Sequence, residues 1–153
     1  MRKLINILNK KARFSYDLLD NYTAGIVLTG TEIKSIRLSK ASIAESFCEF
    51  NESGELFVIN MTIQQYDHGN HFNHSPKAER KLLLNKKELR KLSKEVKNTG
   101  LTIIPTKLFI NEKGFAKLQI SLAKGKKLFD KRENIKDREN KRNLDRVNKN
   151  FKT

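Results

Sequence analysis

The chain has 153 residues, 32 of them Lys or Arg and 17 Asp or Glu, for a formal net charge of +15 with 37% hydrophobic residues. That length fits one domain with a tail, and such a cationic excess points to a polyanionic partner, nucleic acid ahead of an anionic membrane. A single cysteine, Cys48, excludes an internal disulfide and a four-cysteine zinc site, and the longest strictly apolar run, Leu56 to Ile59, is far short of the ~20 residues that span a bilayer.

From the amino end, Leu4-Ile5 and Ile7-Leu8 are split by Asn6 and closed by Asn9. That is too short for the apolar region of an export signal, about 7–15 residues, and the chain reads as cytoplasmic. Phe14, Tyr16 and Leu18 alternate with polar residues, and Ala24 to Leu28 is a β-rich run. Thr29-Gly30-Thr31-Glu32 has the spacing of a capping box. It predicts a helix with Ile33 and Ile36 on one face and Lys34 and Arg37 on the other.

Ser46 to Phe50 alternates, Asn51-Glu52-Ser53-Gly54 reads as a turn, and Glu55 to Met61 returns as a strand. The segment Asp67 to Pro76 holds His68, His71 and His74 among Gly, Asn and Pro. It reads as a loop that touches phosphate or sugar, or lies in solvent, rather than as a metal site. Asn85 to Glu88 repeats the capping-box spacing ahead of an apolar stripe of Leu89, Leu92 and Val96, with Gly100 as the stop. Leu101 to Ile110 and Phe115 to Leu122 form a second hairpin around Asn111 to Gly114, and Pro105 marks an edge or a bulge.

Residues 123–153 carry 12 basic and 5 acidic residues, a net of +7, with few large apolar groups. They are expected to be a basic tail, disordered in isolation, following a folded body over 1–122. The body reads as mainly β: a small antiparallel barrel of the OB type with two or three helices.

No constellation for catalysis stands out. Cys48 lies in an alternating strand beside Phe47 and reads as a core thiol. Ala123-Lys124-Gly125-Lys126-Lys127 lacks the first Gly and the Ser/Thr of a phosphate loop and reads as a basic turn. The chain therefore reads as a binding protein rather than an enzyme. Cations cluster at Lys10-Lys11-Arg13, at Lys34-Arg37-Lys40, at Lys77-Arg80-Lys81, along the second helix and in the tail. Tyr16, Tyr22, Tyr66 and Phe72 lie near them and could stack on unpaired bases or pack inward.

Specific strings resemble a known family. Asn9 to Phe14, Ala24 to Arg37 with Lys40-Ala41, Gly69 to Pro76, Arg80 to Asn85, Ala123 to Arg132 and Ile135 to Arg138 resemble the SsrA-binding proteins, small protein B, in order and with spacing kept. The resemblance implies an OB-type barrel that binds the tRNA-like domain of transfer-messenger RNA (tmRNA) and delivers it to stalled ribosomes for trans-translation. The partners it implies are that RNA and the ribosome with its small-subunit rRNA, and the chain itself is expected to be a monomer. Elongation factor Tu and alanyl-tRNA synthetase would meet the protein through the shared RNA. It assigns RNA contacts to Arg13, Tyr22, Glu32, Lys34, Arg37, Lys40 and the Lys124, Gly125, Lys126, Lys127 run. To the ribosome, in the empty decoding centre and mRNA channel, it assigns Asp130, Lys131, Arg132, Ile135, Lys136, Arg138 and Val147. Without the resemblance, a general binder of single-stranded RNA or a ribosome-associated protein on the same barrel is the alternative.

Overall fold

The computed structural model describes residues 5–69 and 73–126. In chain order the elements are β1 (Asn6–Leu8), α1 (Lys10–Ser15), β2 (Tyr16–Ile26), α2 (Gly30–Arg37), β3 (Ala41–Ser42), β4 (Phe47–Phe50), β5 (Leu56–Ile59), β6 (Thr62–Ile63), β7 (Arg80–Leu83), α3 (Lys86–Thr99), β8 (Thr102–Ile110) and β9 (Ala116–Gly125).

Two turns of the same chemistry shape the hairpins. Asn51 Oδ1 accepts from the Glu55 amide at 2.9 Å, and Asn111 Oδ1 accepts from the Phe115 amide at 2.9 Å. Each Asn thereby holds its own turn closed before any tertiary contact is made. The β4–β5 and β8–β9 hairpins follow, with Phe47 opposite Ile59 and Ile110 opposite Ala116.

The main sheet runs β1-β8-β4-β5-β7-β2-β9, and β8 also pairs with β9. That last pairing closes the strands from β8 round to β9 into a barrel, with β1 added outside the ring along β8. The expected OB-type barrel is therefore present. Pro105 sits at a register shift between Pro105 and Lys107, the bulge that its missing N–H requires. Inside the barrel Leu56, Val58, Met61, Ile63, Leu108, Leu118 and Ile120 are 0% exposed. Each such side chain contributes about 1.5–3 kcal/mol by leaving water.

Both predicted helices form on capping boxes, Thr29 with Glu32 and Asn85 with Glu88. Leu92 is fully buried, Leu89 and Val96 pack beside it on the core, and Gly100 ends α3 at φ +67°, the left-handed cap that glycine adopts without a Cβ clash. Cys48 is buried in the core, and burial pushes its thiol far above the ordinary range.

Several elements differ from expectation. Phe14 belongs to a helix, α1, and not to a strand. Asn9 is the reason: its Oδ1 caps the Ala12 amide at 3.1 Å while its Nδ2 donates to the carbonyls of Ile43 and Pro105 at 3.1 and 2.8 Å. Of the Ala24-to-Leu28 run, Ala24 to Ile26 are the end of an 11-residue strand that starts at Tyr16, and Val27 and Leu28 lie beyond it. The Ile7 segment forms β1 along β8, with Asn6 opposite Phe109. Lys124 and Gly125 are not a turn. They continue β9, opposite Asp17 and Tyr16, so the last strand runs past residue 122, and Ala123 is fully buried.

Candidate nucleic-acid interface

The face built around α2 starts with a capping box. Thr29 accepts from the Glu32 amide, and Glu32 Oε1 accepts from the Thr29 amide at 2.9 Å. This fixes the helix start and turns Glu32, Ser35 and Ile36 inward. Lys34 and Arg37 consequently point out and are exposed. Across from them runs the loop that joins β6 to β7. Lys34 Nζ lies 5.4 Å from the centroid of the Tyr66 ring, a cation–π distance. Tyr66 in turn meets His68 edge to face at 5.5 Å. Lys40 reaches Asp67 at 2.9 Å, and that hydrogen bond, followed by the charge of Lys40, holds the Asp67 carboxyl below the usual carboxylate range.

The loop is closed by its own amides. Asn73 accepts from the Tyr66 N–H at 3.1 Å and donates to the Tyr66 carbonyl at 2.7 Å. Gly69 lies under that clamp, where a Cβ would come within 2.5 Å of Asn73 Nδ2. Any side chain at 69 would have to open the clamp. His74 is buried, with Nε2 at 3.0 Å from the Ile63 carbonyl and Nδ1 at 2.9 Å from Thr31 Oγ1. Thr31 Oγ1 lies 3.3 Å from Thr29 Oγ1.

Beneath the face lies a buried ion pair. Arg80 Nε donates to Glu32 Oε2, and Nη1 donates to the Met61 carbonyl at 2.8 Å. Nη2 reaches the carbonyls of Ser75 and Pro76, both at 3.2 Å. Glu32 is 4% exposed and Arg80 3%. With its partners in place such a pair is tolerated; with one removed the other becomes an unpaired buried charge.

The expected site residues therefore divide. Lys34, Arg37 and Lys40 come together with Tyr66 on this face. Glu32 lies beneath it, where its carboxylate meets Arg80 and the cap rather than solvent. Arg80 and His74, read from sequence as groups facing phosphate or water, are interior, and Lys81 pairs with Glu55. Arg13 is exposed on α1 and lines a separate groove with Leu8, Lys10, Leu19 and Lys107. Tyr22 packs against the core, with its hydroxyl buried and unpartnered among the described residues. Lys124 and Gly125 are exposed at the end of β9, and the Lys126 amide donates to the Ser15 carbonyl at 3.1 Å. Lys127, the tail residues Asp130 to Val147, and His71 and Phe72 lie outside the described residues.

Sequence signals for the interior pair existed. Arg80 and Leu82 share one face of β7 at period two, and Leu82 is 2% exposed. Glu32 stands one helical turn before Ile36, which is 0% exposed.

The "SmpB protein" family model matches residues 6–150. An "SsrA-binding protein" of Christiangramia forsetii is 68% identical over 152 residues, 99% of this chain and 96% of that protein. Another, of Flavobacterium psychrophilum, is 68% identical over 151 residues, 99% of this chain and 100% of its own length. A solved structure described as "tmRNA-SmpB: a journey to the center of the bacterial ribosome" contains a similar chain at a TM-score of 0.68 and 45% identity, covering 81% of this chain and 86% of that one.

Proposed function

The chain belongs to the SmpB protein family, and from that membership we propose that it is an RNA-binding adaptor. It binds tmRNA at the tRNA-like domain and brings it to stalled ribosomes for trans-translation. Relatives 68% identical over nearly their whole length are SsrA-binding proteins, and the similar solved chain comes from tmRNA-SmpB on the ribosome. The observation that carries the reading is the face of Lys34, Arg37 and Tyr66: Lys34 is set beside a ring on a braced loop, and Arg37 is exposed one helical turn further along α2. Cations neutralise phosphates and a ring accepts a base or sugar edge, so the arrangement suits a folded RNA read by shape. No bond is made or broken in this reading, so it calls for no nucleophile or cofactor.

The finer assignments follow the same reading. Arg13, Tyr22, Glu32, Lys34, Arg37, Lys40 and residues 124–127 serve RNA binding, Glu32 and Tyr22 from within the body and the others at its surface. Asp130, Lys131, Arg132, Ile135, Lys136, Arg138 and Val147 serve the ribosome, entering a decoding centre and mRNA channel that no message fills. Elongation factor Tu and alanyl-tRNA synthetase act on the same RNA, and the work is done in the cytoplasm by a monomer. A net of +7 over residues 123–153 supports the tail's part, because rRNA phosphates favour it on contact.

The test is equilibrium binding to a transcribed tRNA-like domain against an unstructured RNA of equal length. The folded RNA should bind tighter, and Lys34→Ala or Arg37→Ala should each flatten the log K against log salt slope by about 0.7–0.9. Equal binding of the two RNAs would sink the reading.

A further inference from the structure

We propose that His74 and Thr31 are positioning residues for the choice of folded over unstructured RNA: their side chains fix α2 against the loop that carries Tyr66. The inference rests on the RNA-binding reading above and names which buried contacts give that face its shape.

The face is assembled from two segments far apart in sequence. α2 supplies Lys34 and Arg37, and the loop supplies Tyr66. An eight-residue helix is too short to hold itself in place and takes its orientation from what it packs on. At its C-terminal side the ties to the loop are the Gln64 amide donating to the Lys40 carbonyl at 2.9 Å and the Lys40–Asp67 pair. That pair is exposed, and an exposed pair fixes little. Glu32–Arg80 ties the helix to strand β7 and, through Arg80 Nη2, to the far end of the loop at the Ser75 and Pro76 carbonyls. His74 adds a tie next to the Asn73 clamp that holds Tyr66. Its ring joins β6 through the Ile63 carbonyl to α2 through Thr31, and its backbone amide donates to Asn73 Oδ1 at 3.1 Å within the loop.

The hydrogen bonds in this chain have a direction. The Ile63 carbonyl can only accept, so Nε2 carries the proton. In the neutral ring Nδ1 is then an acceptor and takes the Thr31 hydroxyl proton. The Thr31 oxygen is left to accept from Thr29, whose own oxygen faces the Glu32 amide. A directed relay thus runs from the helix cap, through two hydroxyls and an imidazole, to β6, which pairs with β3 in a separate two-stranded sheet. None of its members needs to touch RNA. What the relay supplies is a fixed distance between the cations on α2 and the ring on the loop. A folded RNA presents phosphates at set positions and gains from a face already in shape, whereas a slack strand adapts to either arrangement.

The experiment uses the full chain and three variants: Thr31→Val, His74→Phe and the two together. The probes are a transcribed tRNA-like domain and polyuridylate of equal length, at matched salt. Each single change should weaken binding of the folded RNA about tenfold, the size of one neutral hydrogen bond. Polyuridylate affinity and both salt slopes should stay unchanged, and the double variant should be no weaker than either single one. Folded variants that bind the tRNA-like domain as the parent does would overturn the proposal. So would equal loss on both RNAs with a shallower salt slope, the mark of a direct phosphate contact. Amide exchange without RNA gives an independent arm, and Thr31→Val, the milder change, supplies it if His74→Phe does not fold. The Tyr66 and Gln64 amides should exchange faster in the variants, and unchanged exchange refutes the tether. A parent chain indifferent to RNA fold sinks the functional reading, while the exchange arm still decides on the tether.

Discussion

Arg80 Nε donates to Glu32 Oε2 with both side chains almost completely shielded from water. The pair joins the first turn of α2 to the start of β7, 48 residues on, and the other guanidinium nitrogens are taken up by the carbonyls of Met61, Ser75 and Pro76. Glu32→Ala strands the guanidinium and also removes the capping-box carboxylate. The expected loss is about 3–5 kcal/mol, which lowers Tm by roughly 10–20 °C for a body of this size. Glu32→Leu combined with Arg80→Met should recover much of that, because no charge is then left behind. Thermal unfolding followed by circular dichroism decides: a loss under ~1 kcal/mol for Glu32→Ala means the pair is not what holds this corner.

Cys48 offers a chemical probe of the core. Burial holds its thiol protonated far above the ordinary range, and thiol reagents attack the thiolate. At pH 8 the native protein should react with a disulfide reagent only as fast as it unfolds, and urea should bring the single thiol to full reactivity. Rapid modification of the native protein would show the strand pair β4–β8 opening on its own.

The Lys40–Asp67 tie depends on pH in a known direction. Lys40, by hydrogen bond and then by charge, lowers the Asp67 carboxyl in the folded state. A lowered carboxylate contributes above its unfolded value, about pH 3.9, and the contribution fades as pH falls through the lower folded value. The Lys40–Asp67 pair should therefore be indifferent to pH near neutrality and weaken only in acid. Carbon-detected titration of Asp67 should show its midpoint returning to the ordinary value in Lys40→Ala. A midpoint that stays low would mean that another group holds it.

Ser39 closes α2 in the left-handed region at φ +58°. Its amide donates to the Ile36 carbonyl at 2.8 Å, and the Lys40 amide donates to the Ser35 carbonyl at 3.0 Å. This is the helix end at which glycine is usual. A non-glycine residue there costs about 1–2 kcal/mol, partly offset by the chain freedom that glycine would lose. Ser39→Gly should stabilise the protein by ~0.5–1 kcal/mol, read as a small rise in the denaturant midpoint at constant slope.

What could be read in the sequence were the features whose cause lies within a few residues. Both capping boxes, both Asn-led turns and the Pro105 bulge are local hydrogen-bond chemistry, and each was visible as a spacing. The helix α1 was not, because Asn9 is held in its capping position by carbonyls 34 and 96 residues away. The face was half legible. Lys34, Arg37 and Lys40 declare themselves by charge and helical spacing, and a prior that places charges in solvent hides Glu32 and Arg80. Their neighbours Ile36 and Leu82 carried the contrary signal. Nothing in the residues around His74 marks it as interior, since its partners Thr31 and Ile63 lie on two other elements, α2 and β6.

The joint at Asn9 also sets a schedule. Its side-chain amide bonds the Pro105 carbonyl, its backbone amide bonds the Thr106 carbonyl, and Asn6 pairs with Phe109. Synthesis delivers these amino-terminal residues first and their mates about a hundred codons later. During translation the nascent chain can settle its local hairpins and helices, but the ring stays unjoined until β8 and β9 have been made. Closure of the ring is thus expected late in folding, because its decisive contacts are so distant along the chain.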